Sequence, residues 1–294
     1  MKNNTHKGSF PSIALGPHNV SRLILGANPI NGGSHLSRFV NMQMKRYFTE
    51  GRILELLSLC EKEGINTWQS GLVNIETYVK YREAGGNMHF ISLVHEADEE
   101  QDGLRRLQDA GAIAGAYHGE VTDSLFKNGN IGNARDFLSK VRDHGMLAGV
   151  STHMPDVVDY IETKGWDVDF YMTCVYERHR SKDELRSILN GHVPLSPGEV
   201  YLEEDPPRMR HVMNQTQKPC LASKILAAGR VCDQQELVEE AFKATMTNIK
   251  NNDAVIVGMY PEYEDQVALN AGYVRTYSAV GEPAKNDGLL SASR

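Results

Sequence analysis

The sequence contains few cysteines and no paired-cysteine motif. Only four occur in 294 residues, Cys60, Cys174, Cys220 and Cys232, and none forms a C-x-x-C pair. Sparse, unpaired cysteines predict free thiols in a reducing compartment and exclude a disulfide scaffold. A chain of this length can bury about three-quarters of its unfolded surface, so a core needs neither disulfides nor a structural metal.

The sequence also lacks a long apolar run and an excess of basic residues. No run approaches the ~20 apolar residues that span a bilayer, and residues 1–10 lack the apolar segment of a signal peptide. The 31 basic and 38 acidic residues leave a net charge of −7, whereas nucleic-acid binding needs a basic face. We therefore expect a cytoplasmic protein that binds a small-molecule substrate, without nucleic-acid or membrane partners, and that can form a homo-oligomer.

Short apolar segments alternate with amphipathic, charged stretches along the chain. The apolar segments predict strands at 23–26, 65–68, 89–94, 112–117, 146–151, 170–175, 220–225 and 254–257. The amphipathic stretches predict helices at 49–63, 75–84, 99–110, 131–144, 155–164, 234–249 and 262–270. Repeated strand–helix alternation predicts a parallel sheet with crossover helices, and eight strands close a (β/α)8 TIM barrel.

The turn after the first strand distinguishes a barrel from an open, doubly wound sheet. It reads Gly26-Ala27-Asn28-Pro29, which is not the G-x-G-x-x-G phosphate turn of the open fold, so we favour the barrel. Residues 9–26 predict a hairpin that plugs the bottom of the barrel. We expect one barrel domain over 9–276, between disordered segments at 1–8 and 277–294. The long, polar 177–217 loop follows the sixth strand, and we expect it to be either a lid or an interface.

Histidines end three consecutive predicted strands: His95, His118 and His153. Active sites of TIM barrels lie at the carboxyl ends of the strands, and neighbouring strands are ~4.8 Å apart, so these side chains can converge. His118 and His153, together with Cys174 or Glu177, could bind a divalent metal such as Zn, Mn or Fe. Alternatively, they are separate polar rim residues, because no short ligand motif such as H-E-x-x-H is present.

Lys224 ends the seventh predicted strand, which is apolar. A lysine there could anchor an anionic group, donate a proton, or act as a Schiff-base nucleophile if desolvation lowers its pKa. It could also be an ordinary rim lysine. Arg230, in the following connection, suits an anionic or polyhydroxylated ligand. Further strand-end residues are candidates for substrate binding: Asn28, His35, Gln69, His95 and Tyr176.

Several short segments together resemble the aldo/keto reductase superfamily. They are Leu15-Gly16, Val20 to Gly26, Gly64-Ile65-Asn66-Thr67, Ala148-Gly149-Val150-Ser151, and Val255-Ile256-Val257-Gly258 followed by Gln266 and Asn270. Their order and spacing extend over about residues 13–275. The resemblance implies a (β/α)8 barrel with an N-terminal hairpin, and a divergent member of that superfamily.

The catalytic residues of that family are largely missing. The family uses an Asp, a Tyr, a Lys and a His with a nicotinamide cofactor, and of these only the His matches, at His118. Gln69 stands at the Asp position, His95 stands at the Lys position, and Tyr78 comes too late for the Tyr. A tyrosine acid needs its lysine neighbour to lower its pKa. Tyr260 and Pro261 occupy the place of the residue that would pair with a 2′-phosphate, so we do not expect NAD(P).

These observations lead to an expected function of non-redox type. We expect an isomerase, lyase or hydrolase that acts on a small sugar-like or carbonyl substrate. His118 and His153 would be its acid/base pair or metal ligands, and Glu177 or Cys174 would complete the site. Lys224 and Arg230 would hold the oxygen-rich end of the substrate. The alternatives are an NAD(P)H-dependent carbonyl reductase with a histidine proton donor, and a catalytically inactive barrel used for binding.

Overall fold

Ten strands occur in residues 9–195 and 199–278, which are the residues described by the computed structural model. The first two, β1 (Ser12–Leu15) and β2 (His18–Ser21), pair in an antiparallel hairpin. The other eight form a closed parallel barrel in the order β10-β3-β4-β5-β6-β7-β8-β9, which confirms the predicted (β/α)8 TIM barrel. They are β3 (Leu23–Gly26), β4 (Thr67–Gly71), β5 (His89–Val94), β6 (Ala114–Tyr117), β7 (Leu147–Thr152), β8 (Phe170–Cys174), β9 (Cys220–Ser223) and β10 (Ala254–Gly258).

The hairpin closes the bottom of the barrel, as its sequence predicts. Ile13, Leu15 and Val20 are buried and pack in one apolar cluster with inward-facing barrel residues such as Phe170 and Met172. Alternation of the hairpin side chains explains this packing, because successive residues of a strand point to opposite faces.

Eleven α-helices surround the barrel in the described part of the chain. They are α1 (Arg38–Tyr47), α2 (Glu50–Glu63), α3 (Ile75–Glu83), α4 (Gly103–Asp109), α5 (Gly119–Lys127), α6 (Gly132–Asp143), α7 (Pro155–Thr163), α8 (Lys182–Ile188), α9 (Asp205–Gln215), α10 (Gln235–Met246) and α11 (Gln266–Ser278). Helix α2 shows why local signals work: the Thr49 side chain accepts a hydrogen bond from Arg52 N, and Gly64 ends the helix at φ 91°.

The helices differ from the prediction in several segments. The helix predicted at 99–110 is interrupted at Asp102, which has φ 54°, so a 3-10 turn precedes α4. Helices α1, α5 and α8 lie in segments without a predicted helix. Helix α11 begins at Gln266 instead of residue 262 and continues through Ser278. Of the tail 277–294, for which we predicted disorder, residues 277 and 278 belong to α11; residues 279–294 and the predicted disordered segment 1–8 lie outside the described residues.

The 177–217 loop lies at the carboxyl ends of the barrel strands, which we call the mouth of the barrel. It contains α8 and α9, joined to the barrel by irregular segments. Among the described residues, no helix is both long and apolar enough to cross a membrane. The cytoplasmic location, the homo-oligomer and the absence of nucleic-acid partners stay predictions.

Candidate functional site

A cavity of about 460 Å³ opens at the mouth of the barrel. Its wall combines apolar side chains with polar and charged groups from most of the barrel loops. The polar and charged side chains in this wall are Asn28, Ser34, His35, Gln69, His118, Glu120, Ser151, His153, Arg178, Ser223, Lys224 and Gln266. A second cavity of about 590 Å³ shares Asn28, Gln69 and His118 with it and continues to His95. The volumes of both cavities are typical of small-molecule sites.

His153 forms a hydrogen-bonded pair with Asp123 in the wall of the first cavity, which we call the main cavity. His153 directly follows β7, whereas Asp123 lies one turn into α5, and Nδ1 of the imidazole is 2.7 Å from Oδ2 of the carboxylate. The backbone N–H of His153 also donates to this carboxylate, at 3.1 Å. Thr152 Oγ1 donates to the other carboxylate oxygen at 2.5 Å. The carboxylate therefore fixes both the backbone and the ring of His153.

Burial determines the charge state of this pair. It lowers the pKa of His153 well below its ordinary value, and the positive charges of Lys224 and Arg178 act in the same direction. Burial also raises the pKa of Asp123, to about 6, although hydrogen bonds from Thr152 and His153 oppose that shift. At neutral pH an ionised Asp123 accepts from a neutral imidazole. Because a carboxylate can only accept, Nδ1 carries the proton and Nε2 presents its lone pair.

His179 brings a third potential ligand to this pair. Its Nε2 lies 3.6 Å from Oδ2 of Asp123 and is buried without a hydrogen-bond partner. The ring also packs edge-on against His153, with 4.9 Å between centroids. One ligand atom from each of Asp123, His153 and His179 lies within 4.8 Å of the others. These three side chains form a group that could hold a metal ion.

The spacing inside this group is that of a hydrogen bond. Two ligands bound tetrahedrally at 2.0–2.1 Å would lie about 3.3 Å apart, which is longer than the 2.7 Å between His153 and Asp123. A metal bound through Nδ1 would thus have to replace the Nδ1 proton and push the two side chains apart. The ligand set also differs from the predicted one of His118, His153 and Cys174. Cys174 Sγ instead donates to Tyr176 O at 3.2 Å, and its buried side chain lies outside the cavity wall.

His118 and His95 lie together at the boundary between the two cavities. His118 directly precedes α5 and its Nδ1 is buried without a hydrogen-bond partner. Burial lowers the pKa of His118, so the ring is neutral at physiological pH. The His95 ring packs edge-on against it at 5.9 Å, and His95 Nδ1 accepts from the backbone N–H of Ala97. His118 can therefore face a ligand, whereas His95 contributes to the second cavity.

Arg178 connects two carboxylates across the mouth. Its Nη2 donates to Glu120 at 2.7 Å and forms a second ion pair with Glu199. Glu199 also bonds His35 Nδ1 at 3.1 Å and accepts from Tyr201 OH at 2.8 Å. Burial alone would raise the pKa of Glu199, but these hydrogen bonds and the Arg178 charge outweigh it and hold the pKa at about 2. The guanidinium thus ties the 177–217 loop to α5.

Lys224 projects into the main cavity from the end of β9. Its backbone has φ 60°, a left-handed conformation that is uncommon for a residue with a side chain. Burial lowers the pKa of its ammonium group; Cys174 opposes this shift and Arg178 supports it. Lys224 and His153 therefore share one cavity.

The other predicted site residues divide into two groups. Asn28, His35 and Gln69 line the main cavity, where Asn28 Nδ2 and His35 Nε2 are 3.2 Å apart. The others lie behind the wall: Glu177, Tyr176, Arg230 and Cys174.

Neighbouring side chains account for the positions of those residues behind the wall. Glu177 bonds Arg180 at 3.0 Å and Arg208 at 2.8 Å. Tyr176 packs against the ring of Tyr201, with 5.0 Å between the ring centroids. The Arg230 guanidinium lies 4.1 Å above the same Tyr201 ring. These residues support the loop and do not face the cavity.

Sequence reasoning missed several residues of this site: Asp123, Glu120, Arg178, His179 and Glu199. Asp123 and Glu120 belong to α5, which the sequence pattern did not predict. The spacing of Glu120 and Asp123, three residues apart directly after a strand-end histidine, was a signal for a helix that faces the mouth. Arg178, His179 and Glu199 lie in the long loop, where no periodic pattern indicates which side chains turn inward.

Comparison with known proteins supports the fold, whereas the reaction must be inferred from the residues of the site. The sequence matches no protein-family model, and no curated protein is similar to it. Solved structures share the architecture. One is the phospho-2-dehydro-3-deoxyheptonate aldolase (DAHP synthase) of Thermotoga maritima, with TM-score 0.52 and 13% identity over 92% of this chain and 73% of that one. Its truncated form gives TM-score 0.53 at 12% identity, over 92% of each chain.

An aldo/keto reductase is also among the similar structures. The glycerol dehydrogenase of Gluconobacter oxydans has TM-score 0.51 and 13% identity over 96% of this chain and 99% of that one. At such low identities these likenesses show a shared barrel and not a shared activity. Membership of the aldo/keto reductase superfamily therefore stays a prediction.

Proposed function

We propose that this protein is an enzyme that moves a proton on the carbon next to the carbonyl group of a small, sugar-like substrate. Such a reaction is an isomerisation or an elimination without net redox change. The observation that carries the proposal is the 2.7 Å hydrogen bond from His153 Nδ1 to the buried Asp123 carboxylate. It leaves Nε2 of a cavity-lining imidazole as a proton acceptor.

The site supplies the two groups that such a reaction requires. His153 Nε2 would remove the proton, and Asp123 would stabilise the imidazolium that forms. Negative charge would then develop on the carbonyl oxygen of the substrate, and Lys224 and Arg178 place positive charge in the same cavity. Fixed charges of this kind stabilise an enolate more strongly in a partly desolvated site than in water. His118 is a second neutral imidazole that could return the proton.

The size and lining of the main cavity support a small polyhydroxylated substrate. Its volume of about 460 Å³ lies at the small end of ligand sites. Side-chain amides and hydroxyls from one loop and three strands line the same cavity as the charged groups; they are Asn28, Gln69, Ser151 and Ser223. These groups can exchange hydrogen bonds with several hydroxyl groups at once.

Exchange of carbon-bound hydrogen tests the proposal. Dihydroxyacetone, erythrulose and ketohexoses are incubated with the protein in D2O, and loss of the hydrogens next to the carbonyl is followed by proton NMR. We expect exchange with at least one of them, and a His153→Gln variant should lose it by about 10²–10⁴-fold. His211→Gln is the matched control, because His211 is exposed on α9. Full activity of His153→Gln would contradict the proposal.

A metal-assisted form of the same reaction has one observation in its favour. His179 Nε2 is buried and unpartnered beside Asp123, and an unsatisfied buried nitrogen is costly unless something binds it. In that form Asp123, His153 and His179 would hold the ion, which would polarise the carbonyl oxygen. The hydrogen-bond spacing between His153 and Asp123 favours the metal-free form.

Reduction with a nicotinamide cofactor is the competing function. The resemblance places the phosphate-binding segment at the end of β10, but there Gln266 Oε1 already accepts from Tyr260 N at 2.8 Å. Acidic residues also follow Tyr260, at Glu262, Glu264 and Asp265, and they disfavour a phosphate group. Titration of NADH and NADPH against tryptophan fluorescence decides the matter, and tight binding of either cofactor would reverse our preference.

A further inference from the structure

We infer that Lys224 is a covalent catalyst, whose amine forms a Schiff base with the carbonyl carbon of the substrate. The inference takes its carbonyl substrate class from the proposed function, and adds a nucleophile to a site otherwise described by proton transfer. It rests on the position of Lys224 in the cavity and on the pairing of the nearby carboxylates with other residues.

Lys224 differs from the other half-buried lysines in the described part of the chain. Lys218 pairs with Glu162 at 2.9 Å, and Lys250 pairs with Asp253 at 2.9 Å. Lys224 Nζ has no hydrogen bond or ion pair with any described residue. A lysine retained only for stability would be expected to have a carboxylate partner, because desolvating an unpaired ammonium group is costly. The missing partner leaves the amine free to react.

The carboxylates of the cavity are committed elsewhere. Glu120 and Glu199 both bind Arg178, and Asp123 binds His153. Glu199 and Glu120 therefore raise the pKa of Lys224 only through their charge, without an ion pair, and desolvation outweighs this effect. Desolvation and the charge of Arg178 both lower its pKa, which increases the fraction of nucleophilic free amine at neutral pH.

The backbone places this amine in the cavity. The apolar strand β9 ends at Ser223, and the left-handed φ of 60° at Lys224 turns the chain at the mouth. Non-glycine residues in this conformation are costly and persist where the surroundings enforce them, which often happens at functional sites. The side chain then lines the cavity together with His153, and no carboxylate of the described residues forms an ion pair with it.

The step balances without an external reagent. The ammonium group passes one proton to a base in the cavity, the role that the proposed function gives to His153. The free amine attacks the carbonyl carbon, and the C=O bond becomes the C–OH of a carbinolamine. That oxygen leaves as water with the returned proton, and a protonated C=N bond remains. This cation withdraws electrons from the neighbouring carbon, so removal of its proton or cleavage of its carbon–carbon bond becomes easier.

Limited reductive methylation measures the reactivity of each lysine without knowledge of the substrate. The full-length protein is treated with formaldehyde and sodium cyanoborohydride at neutral pH, and the peptides are quantified by mass spectrometry. We expect Lys224 to be modified faster than the exposed Lys164 and Lys182, because a lowered pKa increases its fraction of free amine. An equal or slower rate at Lys224 would overturn the inference.

Trapping with dihydroxyacetone and borohydride tests the imine itself. We expect one adduct, on Lys224, which Lys224→Arg lacks because a guanidinium is too basic to form an imine. Thermal unfolding verifies that this variant folds, and Lys224→Met replaces it if it does not. Adducts only on exposed lysines overturn the inference. If the wild type exchanges substrate hydrogens but Lys224 is not trapped, the inference fails while the proposed function stands. If Lys224 is trapped but no substrate hydrogen exchanges, the proposed function fails while the inference stands.

Discussion

His153 Nδ1 lies 2.7 Å from Asp123 Oδ2, although the two residues are 30 positions apart in the sequence. The helix after the fourth barrel strand therefore sets the ring orientation of a histidine at the end of the fifth. Thr152 Oγ1 also donates to Asp123 and holds its carboxylate in place. The His153 ring therefore cannot rotate without breaking its buried hydrogen bond to that carboxylate. This relationship gives the barrel an oriented proton acceptor.

Replacement of Asp123 by Asn tests the orientation and the charge together. An amide presents an N–H to the imidazole as readily as an oxygen, so His153 can adopt the wrong tautomer, and an imidazolium loses its counter-charge. We expect hydrogen exchange into the substrate to fall by about 10²–10⁴-fold, with a smaller change in KM. Unchanged exchange in Asp123→Asn would show that the pair is only structural.

Gly119 at the start of α5 offers a steric test of the same ring. A methyl group there would lie 2.9 Å from Ser151 Oγ and 3.1 Å from His153 Cε1, so His153 must shift. We expect Gly119→Ala to lower exchange about tenfold, because small misplacements of a catalytic group are costly. Gly132→Ala, at the start of α6, is the matched control, since its methyl group meets no atom within 4 Å. Equal activity of the two variants would contradict the expectation.

Arg178 should contribute strongly to stability. Its side chain is 13% exposed and it bridges the exposed Glu120 and the half-buried Glu199, so Arg178→Met leaves Glu199 without this partner. We expect a loss on the order of 2 kcal/mol, between the values for exposed and buried pairs, which urea unfolding can measure. The exposed pair of Arg186 and Asp183 gives the comparison, because Arg186→Met should cost less than about 1 kcal/mol. Similar losses in both variants would refute the assignment.

The low pKa of Glu199 predicts a pH-dependent contribution to stability. The folded pKa is about 2 and the ordinary value is 4.5, so the contribution is fully present above pH 4.5 and is lost as pH falls toward 2. We expect Glu199→Gln to reduce the free energy of unfolding by on the order of 2 kcal/mol at pH 6, and by progressively less below pH 4.5. A constant difference for Glu199→Gln across this pH range would contradict the prediction.

Metal content separates the two forms of the proposed reaction. Because the spacing between His153 and Asp123 fits a proton, we expect elemental analysis of the purified protein to find well below one Zn, Mn or Fe per chain. Added Zn²⁺ or Mn²⁺ should leave hydrogen exchange unchanged. One ion per chain that disappears in His179→Ala would instead establish the metal-assisted form.

The barrel could be predicted from the sequence because its signals are local. Apolar strands such as Val255 to Gly258 alternate with amphipathic helices, and the cap residues Thr49 and Gly64 mark the ends of α2. The hairpin that fills the bottom follows from the same alternation. Helix α5 was missed because it is short, begins directly after the strand-end His118 and has no side-chain N-cap to mark its start.

The candidate site could be predicted only in part. His153 and Lys224 were found because the fold itself directs strand ends toward the mouth. Glu177 and Cys174 also stand at a strand end, but one is held by Arg180 and Arg208, and the other turns back to Tyr176 O. A position at a strand end therefore indicates which residues can reach the cavity, and neighbouring side chains decide which of them do.

By itself the sequence determined the eight-stranded barrel, the closing hairpin and the strand ends that face one cavity, because periodicity and caps act over a few residues. Only the tertiary structure decided which groups interact there. Asp123 holds His153, Arg178 forms ion pairs with Glu120 and Glu199, and Lys224 has no hydrogen-bond or ion-pair partner among the described residues. These relationships depend on hydrogen-bond distances and desolvation between segments far apart in the chain, which no local pattern records.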